Sequence, residues 1–344
     1  MRLHFGTFLL LLFGLSNSTH AVTLVGGIDV DAARREGAVT LYTALSIDAA
    51  GKVCAGFEKA FAIKCEYFRA PGIPLMERFR TEAAANRVKV DVLQASVLTA
   101  FKQAKQNGWL AKYISPEGAK FLREFSDPDG YFVSAYIIPM AIGYNPRLVS
   151  ASEVPKSWQD LVDPKWKSQI TTADPTSSGT GLAVYYFWET KFSFEYIRRL
   201  ARNQPLVVSA TPTVANAVVS GERPVAAGLD SWEILVRARA DQPIAALFPS
   251  EGVPVVPSPL AVAANAPHPN AAQLLMHYIM SAAGQQLLMD EVGTYSARVD
   301  MPPVKGMPLL KDLNLIQLDW DALQKAAPTS IERYRTLLKE EAGK

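Results

Sequence analysis

Histidine and cysteine, on which zinc sites and many catalytic nucleophiles depend, are scarce in this sequence. Among 344 residues there are four histidines and two cysteines. The chain also lacks a Gly-x-Ser-x-Gly nucleophile elbow, a zinc-like Cys/His spacing and a phosphate loop ending in Gly-Lys-Ser/Thr. These absences make a secreted hydrolase or transferase the weaker hypothesis. We expect a protein that is not an enzyme and has no catalytic residue, metal site or cofactor.

Apolar runs long enough to cross a membrane are missing as well. The run from Phe8 to Leu15 is far shorter than the roughly 20 apolar residues that a spanning helix needs. Arg2 precedes this run, and Thr19-His20-Ala21 places small residues at both ends of a cleavage tripeptide. This arrangement predicts a signal peptide over residues 1–21, cleaved after Ala21, and therefore an exported protein.

A strong charge of either sign is also absent. The formal net charge is +2 and no block of five basic residues occurs, which argues against nucleic acid as a partner and favours a monomer. With 49% hydrophobic and 20% charged residues, the composition is typical of a folded globular chain. The roughly 320 residues left after cleavage exceed the usual size of one domain, so we expect two lobes.

The two cysteines, Cys54 and Cys65, are expected on a helix and on the strand that follows it. In an oxidising compartment their even number permits one disulfide. The alternative is a pair of small buried hydrophobic residues whose Cα atoms are too far apart to be bridged.

Strands and helices alternate along the first third of the chain. Val39–Thr43 is predicted to be a buried strand, and Ser46 to cap the helix that carries Phe57. Predicted strands at Lys64–Phe68 and Val90–Gln94 alternate with predicted helices at 75–85 and 98–107. This rhythm predicts an α/β fold with mainly parallel sheets flanked by helices, whose ligands collect at the carboxyl ends of the strands.

Two long extended segments predict a hinge. Tyr131–Tyr144 contains Pro139, which cannot donate to a central ladder, so we expect this segment to bend between lobes. The second crossing is Gly252–Ala263. We place the hinge near 136–144 and 252–260. The predicted division is 22–138 with 256–310 for lobe 1, and 139–255 with 311–344 for lobe 2.

The stretch Pro155–Trp166, PKSWQDLVDPKW, contains a predicted helix start at Ser157 with Asp160 three residues on, and a stop at Asp163-Pro164. The motif resembles solute-binding proteins of bacterial ABC importers, in the branch that binds ferric iron, phosphonates, sugar phosphates and thiamine. The resemblance implies a two-lobed periplasmic binding protein (type II-like) that delivers a small-molecule ligand to an ABC permease in the inner membrane. It also implies a periplasmic location.

The best ligand candidate is Ser177–Gly181, which follows a strand and opens a helix. Backbone amides at a helix start favour an anion, and Ser178 and Thr180 add hydroxyl donors. An ordinary capped turn is the alternative. Ser178-Gly179-Thr180 is similar to the Ser-Gly-small triplet with which ferric-binding relatives hold an anion.

Further candidates follow other predicted strands. Ser46 is a ligand contact, a helix cap or both. Arg69 is a candidate for a positive charge at the site, with an ordinary exposed arginine as the alternative, and Gly72 lies in the next loop. Asp230-Ser231-Trp232 stands where ferric-binding members carry adjacent tyrosines. Asp230 with Glu233 is predicted as a helix cap pair, with recognition of an ammonium group or sugar hydroxyl by Asp230 as the alternative. Trp232 or Tyr136 would stack on a thiamine-like ring.

The sequence also contains a tyrosine pair, Tyr185-Tyr186, within a predicted helix. Consecutive helical residues diverge by about 100° and cannot both face one ion. We therefore expect the ligand to be a small anionic or zwitterionic solute, namely an organophosphate, phosphonate or carboxylate. A ferric-iron or thiamine-type binding protein is the alternative within the same family.

Overall fold

The computed structural model describes residues 23–342, and the predicted signal peptide lies outside the described residues. The strands are β1 (Leu24–Val25), β2 (Ile28–Asp29), β3 (Ala38–Thr43), β4 (Lys64–Arg69), β5 (Val92–Gln94), β6 (Val133–Tyr144), β7 (Ile170–Ala173), β8 (Leu206–Val208), β9 (Val225–Asp230), β10 (Ala245–Leu247), β11 (Val253–Val262), β12 (Tyr295–Ser296) and β13 (Leu315–Gln317). The α-helices are α1 (Val30–Glu36), α2 (Ile47–Phe61), α3 (Gly72–Ala84), α4 (Leu98–Gln106), α5 (Gly179–Phe192), α6 (Phe194–Arg202), α7 (Thr211–Ser220), α8 (Ser231–Arg239), α9 (Pro269–Met280), α10 (Ala282–Leu287) and α11 (Trp320–Ala342).

Most of the strands join in one path, in the order β4-β3-β5-β11-β6-β9-β7-β8. At one end β3 is parallel to β4 and β5, and at the other end β7 is parallel to β8 and β9. We call the part around β3, β4 and β5 the first lobe, and the part around β7, β8 and β9 the second lobe. The long strands β6 and β11 run antiparallel between them, so the sheet is parallel within each lobe and antiparallel where the lobes meet.

Strand β6 changes partners at its proline. Pro139 is opposite Val255 of β11, whereas the next residue, Met140, is opposite Asp230 of β9. A proline has no amide hydrogen to donate, so it is placed where one ladder ends and the other begins. The segment thus remains a strand while passing from one lobe to the other.

Helix α2 packs into the first lobe through an apolar face that includes the buried residues Val53 and Phe57. Ser46 caps this helix, accepting the amide hydrogen of Ala49 at 3.2 Å. The structure joins Cys54 and Cys65 in a disulfide, with Cα atoms 5.1 Å apart. The disulfide ties α2 to β4.

The Pro155–Trp166 motif forms two 3-10 turns, Gln159–Val162 and Pro164–Trp166, where the sequence predicted a helix and a stop. Ser157 and Asp160 still cap each other's amides, at 3.1 Å in both directions. Trp158 is fully buried and donates from Nε1 to the Gly252 carbonyl at 2.8 Å. The motif therefore anchors the second lobe to the start of β11.

Asn270 and Gln273 have the spacing of a helix cap pair, but they do not cap α9. Helix α9 begins at Pro269 without a side-chain cap of its own. Glu36 of α1 accepts instead from the amides of Asn270 and Ala271, at 3.1 and 2.8 Å. A residue distant in sequence thus fills the role that the local pattern had assigned to a neighbour.

Helix α11 packs against α4 of the first lobe and against α5 and α6 of the second. Its Tyr334 is buried against Tyr185 of α5, with ring centroids 5.2 Å apart. In the part of the chain that the structure describes, no helix has both the length and the apolar character needed to cross a membrane.

Candidate ligand-binding cleft

A narrow cavity lies between the two lobes, at the carboxyl ends of the strands. The space between its walls is about 410 Å³. The wall is formed by Ala44, Arg69, Pro71, Gly72, Ser96, Tyr136, Ile138, Ser178, Gly179, Thr180, Ser209, Ala210, Thr211, Asp230 and Trp232. Both lobes contribute, so a solute held here would contact both.

Four helices begin at this cavity: α3 from the first lobe, and α5, α7 and α8 from the second. The first amides of an α-helix have no acceptor within the helix, and the summed backbone dipole is positive at this end. Four positive helix ends around one small space favour a negatively charged group, although Pro74 in α3 and Pro212 in α7 have no amide hydrogen to donate.

The start of α5 is the most developed of the four. The Ser178 hydroxyl is the N-cap and accepts from the amide of Gly181 at 3.1 Å, while the Thr180 hydroxyl lies 3.1 Å from it. Ser178 and Thr180 are both buried. The cap occupies the third amide of the turn and leaves those of Gly179 and Thr180 for a bound group.

Gly179 makes the close contact between the lobes possible, because a Cβ there would overlap the carbonyl of Ser96 across the cleft. Gly72 faces it from the first lobe, where an added Cβ would lie 3.7 Å from the Gly179 nitrogen. The Ile73 amide donates to the Ser177 carbonyl at 3.1 Å, directly linking α3 to the loop before α5. In this conformation the lobes are closed on each other.

The predicted cap pair of Asp230 and Glu233 is wrong, because the Asp230 side chain caps no amide of α8. It lines the cavity with 4% of its surface exposed, and its Oδ2 accepts from the Thr211 hydroxyl at 3.1 Å. Its Oδ1 has no hydrogen-bond partner among the described residues. The pKa of Asp230 is raised to about 7, mainly by burial and also by the charge of Glu233, while Thr180, Thr211 and Trp232 partly offset the rise.

Glu233 is also buried, but it is neutralised by a partner. Arg237, one turn later on α8, forms an ion pair with it. Arg237 also donates to the Pro212 carbonyl and to Asn216 Oδ1, at 3.2 and 3.0 Å, which ties α8 to α7. Burial raises the pKa of Glu233, while Arg237 opposes that shift.

Arg69 brings a positive charge to the wall from the end of β4. Its Nε donates to the Leu45 carbonyl at 3.1 Å, which fixes the guanidinium beside the cavity. Burial lowers its pKa, and the charge of Glu233 opposes the change. Within residues 23–342 Arg69 forms no ion pair with a carboxylate.

Tyr136 lies under the cavity in a buried polar network. Its hydroxyl accepts from Gln94 Nε2 at 2.9 Å, and Gln94 also donates to Ser258 of β11. The Ser96 hydroxyl lies 3.1 Å from that of Ser258. Burial raises the pKa of Tyr136 above its ordinary range. The network connects β5, β6 and β11 at the point where the lobes meet.

Most of the predicted ligand-binding residues line this one cavity: Arg69, Gly72, Tyr136, Ser178, Gly179, Thr180, Asp230 and Trp232. Two lie elsewhere. Ser46 is not on the wall, and Ser231 is buried beside it with a hydroxyl that has no partner among the described residues. Gly72 is the first residue of α3, so the predicted loop is a helix start.

Sequence reasoning missed Ser96 and Thr211, which also line the cavity. Ser96 follows β5, and Thr211-Pro212 opens α7 just after β8. The rule that selected Ser177–Gly181, small polar residues between a strand end and a helix start, selects both when it is applied to every strand.

The tyrosine pair does not reach the cavity. Tyr185 is buried against Trp188 and Tyr334, whereas Tyr186 is partly exposed near Asp319. Burial raises the pKa of Tyr185 above its ordinary range, which disfavours the phenolate that would bind iron. No group of three or more metal-ligating side chains occurs in the described part of the chain.

Two lobes joined by crossing strands, with a polar cavity between them, define the class of two-lobed binding proteins that close on a solute. The sequence model of the family described as "Bacterial extracellular solute-binding protein" matches residues 90–326, and the chain belongs to this family. Its members are transport proteins that bind small molecules and deliver them to ABC permeases.

Individual relatives are distant. A Salmonella typhi protein provisionally named as a 2-aminoethylphosphonate-binding periplasmic protein is 21% identical over 300 residues, 83% of this chain and 86% of its own. AfuA of Actinobacillus pleuropneumoniae, solved with fructose-6-phosphate, is similar with a TM-score of 0.80 and 21% identity, covering 88% of this chain and 99% of its own. Iron-bound HitA of Pseudomonas aeruginosa has a TM-score of 0.74 and 19% identity, with the same coverage of both chains. At these identities the structural similarities show the fold alone.

Proposed function

We propose that the protein captures a small anionic or zwitterionic solute, an organophosphate, phosphonate or carboxylate, in the periplasm and delivers it to an ABC permease of the inner membrane. The observation that carries this proposal is the convergence of four helix starts and Arg69 on one closed cavity. Helix-start amides of the second lobe and Arg69 of the first lobe line the same space, so an anion bound to both would stabilise the closed form.

The proposed division keeps residues 22–138 and 256–310 in lobe 1 and residues 139–255 and 311–344 in lobe 2, with the hinge near 136–144 and 252–260. The change of partners of β6 between Pro139 and Met140 supports this boundary. Hinges in such proteins are a few residues that absorb the rotation, and two strands crossing side by side define an axis for it.

The relatives support a charged organic solute. One of them is named for 2-aminoethylphosphonate and AfuA was solved with fructose-6-phosphate, and both of these molecules carry a phosphorus oxyanion. Iron is less suited to this chain, because Asp230 and Trp232 occupy the cavity wall and the tyrosine pair lies elsewhere.

Export, monomeric state and lack of catalytic activity complete the proposal. Residues 1–21 act as a signal peptide cleaved after Ala21, and the mature chain works as a monomer without nucleic acid. The polar residues of the cavity include hydroxyls and carboxylates, but no histidine or cysteine is available to activate a nucleophile.

Calorimetry tests the proposal. The mature protein is titrated with a panel of organophosphates, phosphonates and carboxylates, and at least one class is expected to bind with 1:1 stoichiometry. Turnover of a phosphoester, ester or glycoside, abolished by one acidic or serine substitution, would contradict a binding role. Failure of every anion to bind would exclude the proposed solute class.

A further inference from the structure

The cavity contains a cationic and an acidic side chain that do not neutralise each other. Arg69 is held by the Leu45 carbonyl and forms no ion pair with a described carboxylate. Asp230 is 4% exposed and has one carboxylate oxygen without a partner. A buried charge normally has a partner, because taking it out of water is costly. For Asp230 that partner is missing from the described protein.

The groups packed around Asp230 offer no cation. Glu233, in the first turn of α8, is itself acidic and is already paired with Arg237. Thr180 and Thr211, from α5 and α7, are neutral, and Trp232 is an uncharged neighbour. Tyr136 of β6 is near enough to interact electrostatically, but burial keeps its hydroxyl protonated. The cation that would complete this arrangement has to come from the ligand.

We propose that Asp230 is the subsite for an ammonium group, and that the ligands of this cleft are short zwitterions whose anionic end rests on the start of α5. For the anionic end of the ligand this inference rests on the proposed function. The ammonium end is the new element. Loss of the Asp230 carboxyl proton to solvent leaves a carboxylate that accepts an N–H of the ligand ammonium.

The two subsites lie close together, which limits the length of the ligand. Thr180 belongs to the first turn of α5 and also interacts with Asp230. A ligand with its anion on the Gly179 and Thr180 amides therefore needs a spacer of a few atoms to reach the carboxylate. Both subsites line the same narrow cavity.

Proton linkage gives the pair of charges a measurable signature. The carboxyl group of Asp230 has a pKa of about 7, so it is largely protonated at pH 6 and largely ionised at pH 8. Ammonium binding favours the ionised form, so affinity should rise across this range with net release of protons. A simple anion would show the opposite trend, because it favours the neutral acid.

Matched ligand pairs test the proposal by calorimetry on the mature protein. The pairs are 2-aminoethylphosphonate with ethylphosphonate, phosphoethanolamine with ethyl phosphate, and β-alanine with propionate. In every pair that binds, the aminated member is expected to bind about tenfold tighter or more. Equal binding, or tighter binding of the member without the amine, would overturn the ammonium subsite and leave the proposed anion site intact. Binding of no member of any pair would overturn both.

Asp230→Asn isolates the carboxylate. In this variant the preference for the aminated member should disappear. The ratio of wild-type to variant affinity should rise from pH 6 to pH 8. Titration of the ligand itself affects both proteins equally and cancels in this ratio. Asp163→Asn, a substitution at an N-cap outside the cavity, is the matched control. If Asp230→Asn folds poorly, the proposal is tested on the wild type alone, by the number of protons released when the aminated member binds. Release near zero at pH 7 would contradict the proposal.

Discussion

The two walls of the cleft differ in what they offer a solute. The first lobe contributes the guanidinium of Arg69 and backbone that comes very close to the other lobe at Gly72 and Ser96. The second lobe contributes three helix starts, their hydroxyl groups and the buried carboxyl of Asp230. We therefore expect the second wall to provide most of the recognition and the first wall mainly to close over the solute.

The largest effect should come from removing the unpartnered charge of the second wall. Because the pKa of Asp230 is raised from 3.8 to about 7 in the folded protein, the folded state binds an extra proton between these values. The stability of the unliganded wild type should therefore fall as pH rises from about 4 to 7. Asp230→Asn lacks this loss and should gain up to about 4 kcal/mol over wild type at pH 8.

Chemical denaturation of both unliganded proteins from pH 4 to pH 8 provides the measurement. The difference in their free energies of unfolding should widen with pH and level off above 7. A difference that stays constant over this range would show that folding does not raise the pKa of Asp230.

Removing the disulfide of the first lobe should lower the stability of the protein without weakening solute binding. Cys54 and Cys65 are 11 residues apart, and a crosslink over a loop of this size contributes about 3 kcal/mol. Cys54→Ser with Cys65→Ser should lower the free energy of unfolding by about this amount. The dissociation constant of a bound solute should stay within about twofold, since both residues lie outside the cavity. A large loss of affinity would mean that α2 takes part in recognition.

Gly179→Ala should separate closure from recognition. The added Cβ would overlap the Ser96 carbonyl only when the lobes are closed, so solute affinity should fall by about thirtyfold to a hundredfold. The melting temperature of the unliganded protein should change little. Gly51→Ala is the control, because a Cβ there would make an ordinary contact at 3.7 Å with the Tyr67 hydroxyl. Unchanged affinity in Gly179→Ala would contradict the tight closure of the lobes.

The smallest effects come from the two serine caps, one in each lobe. Ser46→Ala and Ser178→Ala should each lower stability by about 1 kcal/mol, the usual contribution of a helix N-cap. Only Ser178→Ala should also weaken solute binding, because only that hydroxyl borders the cavity. Equal affinities in the two variants would remove Ser178 from the site.

The strand ends and helix starts were predictable from the sequence, because small polar residues and apolar runs mark them locally. Ser178-Gly179-Thr180 follows this rule and does line the cavity. The same local patterns were misleading where tertiary contacts override them. At the start of α9, the amide of Asn270 donates to Glu36 of a distant helix. Asp230 and Glu233 have the spacing of a cap pair, but Asp230 caps no amide of α8 and Glu233 is paired with Arg237.

Close contacts across the cleft could not be predicted from the sequence. Gly179 was selected for its exposed amide, and nothing in the local pattern shows that the Ser96 carbonyl lies against it. Burial of Asp230 is likewise a property of the assembled lobes, since α5, α7 and α8 all meet there. Its raised pKa follows mainly from that burial, with a smaller contribution from Glu233, three residues along the chain.

The most direct test of the account is native mass spectrometry of the mature protein, purified without denaturation, beside Gly179→Ala prepared in the same way. The account predicts a monomer that carries one small organic adduct with an anionic group, released on unfolding and depleted in the variant. An adduct consisting of iron alone, retained equally by both proteins, would contradict it.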